Sequence, residues 1–144
     1  LRQEVARQDD PQYAVARGEV LARQQEQRTA VEAQAVEARI EQWRATTELL
    51  SRQISQDPDY LAGFGRGVEV QRAAPAATCA DVMRSDPSLA PVRGADGAAF
   101  AAKGGRQKTW SRGYEDGVRL TFGLEALRVL PTCLPAAPVM PVKP

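Results

Sequence analysis

The chain contains no histidine, so the side chain most used as a general base and as a metal ligand is absent. A Ser-His-Asp or Cys-His arrangement cannot be assembled from its own residues, and two cysteines without histidine fall short of a structural zinc site. Aromatic residues are only 6% of the 144 positions, which leaves a thin core. No apolar run reaches the roughly 18 residues that a bilayer-spanning helix needs. A formal net charge of +1 argues against specific nucleic-acid binding, which draws on a concentrated basic surface to displace phosphate counterions.

The carboxylates that do stand together have structural readings. Glu115 and Asp116 are neighbours on a helix and point about 100° apart. Asp9 and Asp10 precede Pro11 and read as a helix start. Neither pair has the facing geometry of a glycosidase site. The run Gly63-Phe64-Gly65-Arg66-Gly67 departs from the GxxxxGK[ST] phosphate loop and follows no evident strand. No catalytic, cofactor-binding or metal site is expected, and the chain reads as non-enzymatic.

The sequence is rich in helix formers. From Pro11 to Ile54 there is no further proline, and Ala, Arg, Gln and Glu dominate, which predicts one long helix. Its second half carries Val36, Ile40, Trp43, Thr47, Leu50 and Ile54 at alternating spacings of four and three, the 3.5-residue repeat of a helix seated against another. This seam, partly coiled-coil-like, is expected to be buried against another helix, from this chain or from a partner, and is the candidate interface to protein partners or to further copies of the chain. Upstream the repeat dissolves, and the first half of the helix reads as a solvated or loosely packed stalk. Asp57-Pro58 then marks a second start.

The expected architecture is all-α. Residues 1–56 form the long helix, 57–130 a small helical module, and 131–144 a proline-rich extended tail. Within the module, 85–108 reads as mostly loop, with one short helical turn around Ala98–Ala102, because it holds Pro87, Pro91 and four glycines. Its basic stretch, Lys103, Arg106, Lys108 and Arg112, is open to two readings, a contact for an anionic surface or a solvated loop.

The most distinctive feature is an internal echo. Tyr60-x-x-Gly63-Phe64-x-x-Gly67-Val68 repeats as Trp110-x-x-Gly113-Tyr114-x-x-Gly117-Val118. Glycine inside a helix costs up to about 1 kcal/mol relative to alanine, so four at matched positions call for a compensating cause. Glycines four apart share one face, and removing that face's side chains lets another backbone approach closely. Gly63, Gly67, Gly113 and Gly117 are therefore the candidate helix-packing residues, chance in a Gly- and Ala-rich chain being the other reading.

Each copy is followed by a Thr-Cys, giving Cys79 and Cys133. A disulfide between them is expected, which would place the protein in the periplasm, outside the cell or in a virion; two reduced cysteines filling small core spaces is the alternative. The chain begins at Leu1, which fits a removed signal or anchor, a maturation cleavage or a trimmed end. In the tail, Pro135, Pro138, Pro141 and Pro144 recur every third residue, one stripe of a polyproline II strand suited to docking on a neighbouring surface or to a plain linker.

Gly113-Tyr114-Glu115-Asp116-Gly117-Val118, followed by Cys133-Leu134-Pro135, resembles a fragment of the Rap1a/Tai-type periplasmic immunity proteins, where a GYxxGV helix precedes a Cys-Leu-Pro segment. The likeness covers under a fifth of the chain. It departs from the family in having no cysteine just before the glycine-aromatic pair and a proline tail in place of the final helix. A coiled coil leading into two spaced cysteines is similar, in architecture only, to phage inner-membrane spanins. The expected function is a structural or adaptor subunit of a larger extracytoplasmic or virion assembly. A free homo-oligomeric binding or lysis protein of the cell envelope is the second expectation. An enzyme subunit sharing its site with another chain is the third.

Overall fold

A computed structural model describes residues 11–84, 87 and 90–135, with side chains at 90–93 excluded. The fold is all-α, with no strand among the described residues. Among the described residues five helices follow in order: α1 Pro11–Arg52, α2 Pro58–Ala73, α3 Cys79–Val82, α4 Ala90–Ala102 and α5 Gln107–Val129, the last running into a 3₁₀ turn at Leu130–Cys133. The chain divides into two compact units, Leu1–Ala35 with Pro135–Pro144, and Val36–Leu134.

In the first unit, residues 11–35 are helical throughout and none is buried. Strong helix formers and the absence of an internal proline account for the conformation. The Asp9-Asp10 start lies outside the described residues.

The second unit is organised around α5. Trp110, Gly113, Tyr114, Gly117, Val118, Thr121, Phe122, Glu125 and Ala126 are buried at spacings of three and four, so contacts cover more than one face. Residues 36–52 of α1 lie on one side of it. Trp43 packs on Phe122 with ring centroids 5.1 Å apart, and Val36 and Trp43 share a core with Ala76, Val82, Ala126 and Leu130. A smaller core of Trp110, Tyr114 and Val118 takes in Val70 from α2 and Phe100 from α4.

Local chemistry sets the helix ends. Asp57 is extended, as a residue before proline must be, and its carboxylate accepts from the backbone N–H of Asp59 at 2.9 Å and of Tyr60 at 3.4 Å. Thr78 opens α3 with a capping box, its hydroxyl accepting from Asp81 N while the Asp81 carboxylate accepts from Thr78 N. The chain leaves α4 through Gly104, whose φ of +90° is open to glycine at little cost.

One sequence expectation is corrected. The region expected to be mostly loop contains the 13-residue helix α4. Its six alanines supply propensity, and Pro91 sits in the first turn, where its missing N–H costs nothing. Gly97 is buried with Trp110 alongside, and Phe100 stacks on Trp110 at 6.0 Å, so tertiary contact offsets the glycine penalty.

Ile40 is half-buried against the larger core. Ile40→Val removes one methylene there, and thermal unfolding should report a loss of about 1 kcal/mol. An unchanged melting temperature would place that side chain in solvent.

Candidate functional site

The seam residues of α1 divide by burial. Val36, Trp43 and Thr47 are buried, while Ile40, Leu50 and Ile54 are half-buried. The first three face the chain's own α5 core and offer a partner little. A β-carbon at Gly123 would overlap the Thr47 methyl and stand 2.9 Å from the Trp43 ring, so Gly123 lets α1 come close to α5. Gly123 had no echo partner in the sequence and was not singled out there. Trp43 Nε1 is buried without a hydrogen-bond partner among the described residues.

The four echo glycines meet across α2 and α5 in a reciprocal arrangement. A β-carbon at Gly63 would overlap the carbonyl oxygen of Trp110, and one at Gly113 would overlap that of Tyr60. One helical turn on, Gly67 faces the carbonyl of Tyr114, and Gly117 that of Phe64. Since Tyr60 corresponds to Trp110, and Phe64 to Tyr114, each copy presents its glycines to the same backbone positions of the other. The pair is a local pseudo-two-fold, with backbone in contact with backbone.

Polar groups secure this pair. The Tyr60 hydroxyl donates to Asp116 Oδ2 at 2.6 Å, and burial, followed by that hydrogen bond, raises the phenol above its ordinary pKa, so it stays neutral across the physiological range. At the other end Glu125, itself buried, accepts through Oε1 from Gln71 Nε2 at 2.8 Å and from Ala76 N at 3.4 Å. Its Oε2 has no partner among the described residues. Glu125 carries no signal in the sequence, because a single Glu in an amphipathic helix does not announce burial.

The basic stretch is partly committed inside the fold. Arg106 reaches Asp57 at 2.5 Å and Asp59 at 3.0 Å, joining the entry of α5 to the cap of α2. Lys103, Lys108 and Arg112 are exposed. The Arg106 hydrogen bond, with help from the backbone N–H groups at the cap, holds the Asp57 carboxyl below the usual carboxylate range. The sign follows from linkage. A lowered folded-state pKa means stability that is present above the unfolded pKa and lost as pH falls through the folded one. The stability difference between wild type and Asp57→Asn is therefore expected to be constant at neutral pH and to shrink below about pH 4. A difference that stays flat down to pH 2 would contradict this linkage.

Cys79 and Cys133 form a disulfide with Cα atoms 5.7 Å apart, tying the start of α3 to the 3₁₀ turn after α5. Pro135 is half-buried; Pro138, Pro141 and Pro144 lie outside the described residues. Among the described residues there is no cluster of three or more Cys, Asp or Glu suited to a metal ion. No helix described is long and apolar enough to cross a membrane. No family model matches the chain, and neither a curated protein nor a solved structure matches it.

Proposed function

We propose that this chain is a non-enzymatic structural or adaptor subunit of a larger extracytoplasmic or virion assembly. The observation that carries the reading is residues 11–35 of α1, 25 helical positions with no buried side chain. Most helical stability in proteins comes from packing an apolar face. Here Tyr13, Val15, Val20, Leu21 and Val31 are 40–65% exposed, and they offer a partner scattered apolar side chains to cover. The disulfide supports an oxidising compartment, and the tail supplies a second element suited to docking.

Mass in solution, with and without reductant, tests the reading. A chain that is monomeric and partly unfolded alone, and that gains helix in a native hetero-complex, is the expected result. A defined small homo-oligomer with α1 intact would overturn it in favour of a free envelope-associated binding or lysis protein.

A further inference from the structure

Glu125 lines the wall of a cavity of about 430 Å³ between the C-terminal parts of α2 and α5. The cavity's apolar surface comes from Pro75, Ala77, Leu124 and Val129, and Leu124 is 55% exposed.

The polar groups around the cavity are mismatched with one another. Arg72 and Arg128 line it, both exposed, and neither has an ion-pair partner among the described residues. Glu125 lines it too, yet its ion-pairing capacity goes unused by either arginine. The Oε1 contacts fix the carboxylate in place by holding Gln71 and the Ala76 backbone.

We propose that this cavity receives an acidic, apolar peptide segment from a partner subunit. The proposal rests on the adaptor reading. A carboxylate of such a segment pairs with the two guanidinium groups, as arginine favours. An apolar side chain covers Leu124 and Val129. The charge of the chain agrees. Residues 60–144 hold 11 Lys and Arg against 7 Asp and Glu, a balance of 11 − 7 = +4 that favours an acidic partner.

The test uses the full chain, oxidised, and a fluorescein-labelled octapeptide of alternating Asp and Leu, with a Lys/Leu octapeptide as control, read by fluorescence anisotropy. Saturable binding of the Asp/Leu peptide that weakens with added salt is expected, with none for the Lys/Leu peptide. The double variant Arg72→Gln/Arg128→Gln removes two exposed charges, so it should keep the wild-type melting temperature while binding about tenfold or more weakly. Leu124→Ser should also weaken binding without unfolding the chain.

No saturable binding, or equal affinity in the double variant, would overturn the proposal. If the octapeptide fails while the chain still assembles into a native hetero-complex, only the role of the cavity falls. If the chain is a free homo-oligomer without partners, the adaptor reading falls, and the peptide result then stands or fails separately.

Discussion

Gly63→Ala and Gly113→Ala are each expected to lower the melting temperature by roughly 5–20 °C, against the direction of helix propensity. Alanine is the better helix former by up to about 1 kcal/mol, so an exposed position would gain from the change. At these two positions the new methyl group overlaps a carbonyl oxygen of the facing helix. Backbone has no rotamer to change, so α2 and α5 must separate along their contact. Overpacking of this kind costs about 1–3 kcal/mol and occasionally more, and for a unit of this size each kcal/mol is worth about 4–8 °C. Gly67→Ala and Gly117→Ala should lower the melting temperature too, since each methyl would meet a carbonyl of the other helix.

The control lies in the same helix. A β-carbon at Gly65 would meet nothing within 4 Å, so Gly65→Ala should hold or raise the melting temperature. Differential scanning calorimetry on the five single variants decides the matter. Equal or higher stability in all of the Gly63, Gly67, Gly113 and Gly117 variants would mean that the echo has no packing role.

The second large effect belongs to the Cys79–Cys133 bond, which closes a sequence separation of 54 residues. The chain-entropy treatment assigns such a closure about 4 kcal/mol, through the freedom it takes from the unfolded chain. With few large apolar side chains in the unit, that is a sizeable share of a typical folding free energy. Cys79→Ala/Cys133→Ala, or wild type held in excess dithiothreitol, should therefore unfold at markedly lower temperature and denaturant concentration. Material purified without reductant should show no free thiol by mass after alkylation. Two alkylated cysteines, or a double variant as stable as wild type, would remove both the bond and the inference about compartment.

The helical class was legible in the sequence for reasons that act locally. The long helix follows from 42 residues without an internal proline and with strong helix formers throughout. The break after it follows from Asp57-Pro58, where a carboxylate meets free N–H groups and proline fits the first helical position. Thr78-x-x-Asp81 is an equally local signal, a capping box that opens α3. The helix α4 was missed because local rules count Pro91, Gly94 and Gly97 against a helix, whereas Gln107 and Trp110 of the next helix lie beside Gly97 and Phe100 stacks on Trp110.

By itself the sequence determined the long helix, the helices α2 and α5 and which of their residues share a face, because propensity, capping and periodicity depend on neighbours along the chain. It also brought out the glycine echo as a pattern. Only the tertiary structure decided what each face meets. The 3.5-residue repeat from Val36 to Ile54 shows that a helix has an apolar stripe, and the same stripe suits a second copy, a foreign partner or the chain's own α5. Burial is non-directional and depends on area rather than on the identity of the neighbour, so periodicity cannot name the neighbour. Gly123 and Glu125 were unreadable for the same reason. The closeness of α1 to one, and the unpartnered oxygen of the other, come from residues far apart in the chain that only the folded arrangement brings together.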